Sequence, residues 1–319
     1  MSALGVSALG LIGKVPSQGD YVRIRAQRPE FMQLEEWLSE NVDFALSRAR
    51  PQWDYAVQHG GIQAFVLRPP STPANVALAG AIAPSGDRAG RRFPVVAAAS
   101  LALSTELAAS AHLLPLLLEE AWQASSSLVI ESTNPDADVH ALLEGNPAQS
   151  WIELAEVSGD YLAWSQELRL SELWALVHPT PTRDALSYTL RFLGEAIRPW
   201  LGKDQAKTPL TLRLPLGQAG GAALCFWLDL VRRLARWQHK VPSYFWSHDG
   251  QAGTLLLHLG EPPKSTLAEL WAPSSERDEF CDLQGVGPAQ HLPPLAPAFE
   301  NVLHDQATVA DLLAVAASR

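Results

Sequence analysis

The chain has 319 residues, 47% of them hydrophobic and 18% charged, with a formal net charge of −10. That balance excludes global disorder, gives room for two domains of ordinary size, and argues against wholesale binding to nucleic acid or an anionic membrane. The charge is uneven: residues 1–105 hold 10 Lys+Arg against 8 Asp+Glu, leaving 14 against 26 for the rest, so an anion-seeking surface is expected in the first third.

Strands are expected over residues 8–15, 61–68 (GIQAFVLR) and 76–84 (VALAGAIAP), with a longer buried strand at 92–103 (RFPVVAAASLAL). Between the first two lies EFMQLEEWLSENVDFALSRAR, whose Phe31, Leu34, Trp37, Leu38, Val42 and Leu46 fall on one helical stripe. A second helical period runs through Leu113, Leu116, Leu117 and Ala121 within 106–125. Short links among the later three strands predict antiparallel neighbours.

Residues 131–150 are rich in Asn, Pro, Asp and Ser and are expected to be a linker. A helical stretch follows over 151–200. The end of the chain returns to mixed structure: LTLRLPL as a strand, AALCFWLDLVRRLARWQ as an amphipathic helix with its arginines exposed, and PSYFW and TLLLHLG as strands paired across SHDGQAG. STLAELW reads as a short helix, 285–298 as a Pro-rich loop, and 306–317 as a last helix. The expected architecture is an α/β sandwich with a mostly antiparallel or mixed central sheet flanked by helices (residues 1–130), and a second mixed α/β domain over 151–319.

Cys225 and Cys281 are the only cysteines, outside any metal-ligand spacing, and are expected as free thiols in a reducing compartment. No apolar run reaches the roughly 18 residues of a membrane-spanning helix. The N-terminus, MSALGVSALGLIGKV, has no cationic residue ahead of its apolar part and fits a signal peptide poorly. A cytoplasmic location without membrane insertion is therefore expected.

Two polar stretches are unusually dense. GKVPSQGDYVR, Gly13 to Arg23, sets Lys14 and Asp20 in a turn built by Gly13, Pro16 and Gly19. Lys14 follows the first glycine rather than the second, so a Walker-type phosphate loop does not fit. APSGDRAGRRFPV, residues 83–95, crowds Arg88, Arg91 and Arg92 around Asp87, Gly86 and Gly90. Arginine forks suit carboxylate or phosphate; the bland alternative is a loop whose Arg88 pairs with Asp87 or Asp20 while the others are solvated. The nine histidines show no i,i+3 or i,i+4 pair, and His258 reads as a satisfied sheet residue. There is no G-x-S-x-G, no G-x-G-x-x-G, and a proline spoils GVGPAQ at 285–290. His248 and Asp249 read as turn residues. Neither catalytic residues nor a metal or other cofactor is expected.

Together the two stretches resemble the TagF (ImpM) family of accessory proteins of bacterial type VI secretion clusters, whose pattern runs approximately GKLPxxGDF and then PSxDxxGRxFP. Gly13, Lys14, Pro16, Gly19 and Asp20 match the first part; Pro84, Ser85, Asp87, Gly90, Arg91, Phe93 and Pro94 match the second. Val15 and Tyr21 replace Leu and Phe, and Gly86 stands where Val or Met is usual. LRLPL, FWLDLVRRL, PSYFW and LLLHLGEPP also look like the longer members. The resemblance implies a cytoplasmic α/β sandwich without known enzymatic activity. It implies repression of type VI secretion after translation, in part through an FHA-domain scaffold protein. Some relatives carry a fused PP2C-type phosphatase, and this chain has no spare length with its acidic metal-binding motifs. On this reading the Lys14–Asp20 turn and the Arg88–Arg92 loop meet at one end of the first sheet. Asp20 there holds an arginine, leaving Lys14, Asp20, Asp87, Arg88, Arg91 and Arg92 as a partner surface. The alternatives are a hydrolase or nucleotide-binding enzyme using the Lys14/Arg88 corner, and a structural subunit of the apparatus.

Overall fold

A computed structural model describes residues 5–48, 50–145, 153–204, 208–247, 253–273, 279–285 and 292–318. Its strands are β1 (Gly5–Val6), β2 (Gly10–Gly13), β3 (Val22–Ile24), β4 (Gln63–Leu67), β5 (Val76–Ala83), β6 (Val95–Ala102), β7 (Thr211–Gly217), β8 (Ser243–Ser247), β9 (Gly253–His258) and β10 (Phe280–Asp282). They make one ten-stranded sheet in the order β10-β7-β9-β8-β4-β5-β6-β2-β3, with β1 beside β6. Among the described residues every pair is antiparallel except β10–β7. The two halves of the chain join where β4 pairs with β8 through Ala64↔Trp246, Phe65↔Phe245 and Val66↔Tyr244.

The helices of the first half are α1 (Pro29–Arg48), α2 (Arg50–His59), α3 (Thr105–Ala109), α4 (Leu114–Leu117), α5 (Glu119–Ser132) and α6 (Val139–Glu144). Those of the second are α7 (Leu154–Glu167), α8 (Leu170–Val177), α9 (Arg183–Ile197), α10 (Gly220–Leu234), α11 (Thr266–Trp271), α12 (Pro297–Val302) and α13 (Val309–Ala317). Successive strand residues point to opposite faces, and the sequence fills both with apolar side chains. Phe65, Leu78, Ile82, Val96, Phe245 and Leu256 pack with α1, α2 and α11 on one face. Val66, Ala77, Ala79, Leu214, Tyr244 and Leu255 pack on the other with α4, α5 and the helices α7–α10 and α13. Wide aromatic walls are served by the tryptophans: Trp122 and Trp227 are buried, each with its indole N–H bonded to a strand carbonyl, at Phe65 and Pro215.

The mixed α/β sandwich expected from the sequence is thus the architecture found, and β4, β5 and β6 are antiparallel neighbours. Several local expectations change. Residues 131–145 are not an open linker: α5 runs to Ser132, and Asp138 caps α6 by accepting from the N–H groups of His140 and Ala141. Val139 and Leu143 then pack against Leu128, Val129 and the sheet. The remainder of that linker, Trp151, the SHDGQAG tip with His248 and Asp249, and residues 286–290 of GVGPAQ lie outside the described residues. Leu46 is 39% exposed, and Ala45 takes its expected place in the core. The arginines of α10 are not simply solvated, because Arg232 and Arg233 both donate to the buried Asp229 carboxylate. Both cysteines are free thiols, with Cys225 fully buried.

Candidate functional site

Strand register brings the two dense stretches together. Val95 of β6 lies between Gly13 of β2 and Ala83 of β5, so the segments that follow Gly13 and Ala83 leave the sheet at the same end. Gly13 permits this approach: its φ is +123°, and a Cβ there would sit 2.1 Å from the carbonyl oxygen of Pro94. The 84–94 connection closes on itself through a Gly86↔Arg92 bridge and an N–H bond from Phe93 to the Ser85 carbonyl. Gly90, at φ +80°, turns the tip and donates its N–H to the Asp87 carbonyl. The Tyr21 and Phe93 rings meet edge to face at 5.5 Å and close the floor between the loops. Burial, reinforced by Glu35 and opposed by Arg23, pushes the Tyr21 phenol upward, so it stays protonated.

Asp87 is the hub. Its side chain has no exposed surface. Oδ1 accepts from the backbone N–H groups of Ala89 (3.0 Å) and Arg91 (2.9 Å), which fixes the tip of the loop. Oδ2 accepts from Arg91 Nε at 2.7 Å and lies 3.2 Å from Lys14 Nζ. Burial alone would raise the Asp87 pKa. The Arg91 N–H, the Lys14 ammonium and the Arg91 side chain outweigh it and hold the carboxyl down at about 2.

The cations carry the tie across to the first turn. Arg91 Nη2 donates to the Gly19 carbonyl at 2.6 Å and lies 3.6 Å from the exposed Asp20 carboxylate. Arg88 Nη2 donates to the Ser17 carbonyl at 2.5 Å, while its backbone N–H donates to the Gln18 carbonyl. Arg92 is not simply solvated: it reaches α2, where Nη1 bonds Asp54 Oδ1 at 2.6 Å. The six candidate residues are therefore at one corner, with altered roles. Lys14 is partly buried and paired, Asp20 is the peripheral carboxylate 3.6 Å from Arg91, and Asp87 does most of the holding that the reading built on the resemblance gave to Asp20. Asp54 was missed because it lies on a separate helix and nothing in its local sequence marks it.

Pro16 lies in the turn whose Gln18 N–H bonds the Val15 carbonyl, and Gly19 is exposed with open space around it. Pro84, Ser85 and Pro94 lead the second loop into and out of the sheet, with Ser85 and Pro94 buried. Among the described residues no group of three or more His, Cys, Asp or Glu is placed to hold a metal ion, and no helix is long and apolar enough to cross a membrane. His258 is buried in β9 opposite its register partner Thr211, whose Oγ1 lies 2.7 Å from His258 Nδ1. The arrangement at the corner is chemically a clamp: one buried anion, three cations and three loop carbonyls lock two connections into a single surface that presents the outer edges of Arg88 and Arg91.

Comparison with known proteins bears on the same segment. The chain is similar to PA0076 from Pseudomonas aeruginosa PAO1, known from a crystal structure, at 17% identity over 84% of this chain and 96% of that one, with a TM-score of 0.46. No curated protein matches the sequence. Residues 10–146 match the TagF N-terminal domain, described as type VI secretion system-associated. That span contains β2, both loops and every residue of the clamp.

Proposed function

We propose that this chain is a non-enzymatic cytoplasmic regulator that represses a bacterial type VI secretion system after translation, by contact with a protein partner such as an FHA-domain scaffold. The observation that carries the reading is the family match over residues 10–146, which spans both clamped loops. The clamp supports a binding role over a reaction at this corner. Lys14 and Arg91 spend their charge on Asp87, and Arg88 spends its fork on a backbone carbonyl. What remains toward solvent is a rigid, mildly basic face, suited to an acidic or phosphorylated partner. The test is genetic and biochemical. Deleting the gene should raise type VI secretion with transcript levels unchanged, and overproducing the protein should silence it. Unchanged secretion in both strains, with the system active, overturns the reading.

A further inference from the structure

A second cationic feature lies at the seam of the sheet. The end of β4 and the start of β8 are paired neighbours, and the chain leaving β4 passes Arg68 while the chain entering β8 passes Lys240. Both side chains line one cavity of about 360 Å³. Lys240 is only 7% exposed. Its ammonium is fixed by a 2.6 Å bond to the Leu259 carbonyl and stands 4.6 Å from the centre of the Trp237 ring. An ammonium has three protons, and the Leu259 bond uses one. Arg68 is half-buried, and its Nε is buried without a hydrogen-bond partner. Neither cation forms an ion pair among the described residues.

The buried Lys240 ammonium and the half-buried Arg68 guanidinium repel, and each is partly desolvated, an arrangement that a bound anion would relieve. Two carboxylates also line the cavity. Glu261 is exposed at its rim, and Asp204, which accepts the His239 N–H at 3.4 Å, partly offsets the Lys240 charge. The wall itself is built and strained. Ser243, 4% exposed, accepts the Arg68 backbone N–H at 3.0 Å, which leaves its hydroxyl proton to donate. Pro69 to Thr72 form a turn closed by the Thr72 N–H on the Pro69 carbonyl, with Ser71 at φ +68° in the place that favours glycine.

We propose that this cavity binds the phosphate group of a small phosphate monoester, with the Arg68 fork and the Lys240 ammonium as counter-charges and the Ser243 hydroxyl as a neutral donor. The pairing is chemically apt: a planar guanidinium takes two phosphate oxygens at once, and the ammonium acts as a point charge on a third. The site does not depend on the regulatory reading and shares no residue with the clamp.

The probe is phenyl phosphate, titrated calorimetrically into the full chain at constant ionic strength, with succinate as the carboxylate comparison. The expected result is saturable binding of phenyl phosphate, weakened by about tenfold or more in Arg68→Gln and in Lys240→Met. Thermal melts of the same proteins show whether they are folded. If Lys240→Met does not fold, Arg68→Gln alone decides, since its side chain makes no hydrogen bond among the described residues. Absence of binding to the wild-type chain overturns the proposal, as does binding that both folded variants retain. Succinate bound as tightly as phenyl phosphate overturns the phosphate assignment.

Discussion

Lys14 Nζ stands 3.2 Å from Asp87 Oδ2, joining the first polar turn to a carboxylate with no exposed surface 73 positions further along the chain. Stability at this corner should therefore follow Asp87 rather than Asp20. Asp87→Ala strands Lys14 and the Arg91 fork and leaves two loop N–H groups without acceptors, so its melting temperature should fall the most, by on the order of 5 °C or more. Lys14→Ala leaves Asp87 held by Arg91 and should cost about 1–2 kcal/mol. Asp20→Ala removes only a long, exposed contact and should sit within the scatter of the wild-type melt. Melts of the three variants side by side check the order, and Asp20→Ala as the most damaging would break the account.

Arg92 separates the surface from the scaffold. Its bond to Asp54 joins two partly exposed groups, and losing such a pair changes stability by roughly 1 kcal/mol or less. Arg92→Glu should therefore fold, yet weaken binding to an acidic or phosphorylated partner by about 1–3 kcal/mol. The difference from wild type should shrink at high salt, because screening removes attraction and repulsion alike. Asp54→Ala is the control: it frees the same arginine without reversing any charge at the surface and should leave binding intact. Affinity and melting measured on the same preparations decide the matter. Binding lost together with the fold would make Arg92 purely structural.

Acid sensitivity should come first from two histidines. Burial lowers His258 to about 3. Burial also lowers His112, to about 4, with Arg232 and Arg233 reinforcing it and Asp229 opposing. In the unfolded chain each takes a proton near the ordinary value of about 6.5. Between these limits the unfolded state binds more protons, so stability falls as pH drops from 6.5 towards 4. At pH 4.5 the loss is about 2–3 kcal/mol per histidine. Asp87, whose carboxyl is held down at about 2, adds the same sign only below its unfolded value of 3.8. Urea unfolding of His258→Leu across this range should show a flatter slope, even though the variant starts lower because Thr211 loses its partner. An unchanged slope would mean that His258 is not the proton acceptor.

Sheet and helices were legible wherever a run of apolar residues had a length that fits one element: β5, β6, α1 and α13 lie close to their expected bounds. Short elements made by pairing were not. β3 and β10 span three residues each and exist because β2 and β7 offer free edges, which no local window records. Where the β4–β8 join falls was likewise hidden, because a strand sequence does not name its neighbour. At the clamp, the two loops were readable from their glycine, proline and charge content, and their meeting from the shared end of the sheet. Which carboxylate lies inside was not readable. Asp20 and Asp87 both follow a glycine, and only the Ala89 and Arg91 N–H groups, turned inward by the loop, select Asp87. Arg68 and Lys240 are 172 positions apart in unremarkable contexts and become neighbours only through the β4–β8 pairing.

The three glycines of the matched motifs should differ sharply when each is changed to alanine. Gly13 combines a φ of +123° with a Pro94 carbonyl 2.1 Å from where the Cβ would be, and that oxygen belongs to backbone locked beside β6. Neither β2 nor β6 can yield without losing the register that brings the loops together, so Gly13→Ala should destabilise by several kcal/mol, roughly 3 or more. Gly90 has open space but a φ of +80°, which costs an alanine about 1–2 kcal/mol from backbone strain alone. Gly19 has neither a close neighbour nor a positive φ, and alanine there should be neutral or slightly stabilising, since it restricts the unfolded chain. Chemical denaturation of the three variants gives the order directly. A Gly13→Ala protein as stable as wild type would show that β2 and β6 do not pack as closely as 2.1 Å implies. It would then remove the physical basis for treating the two loops as one surface.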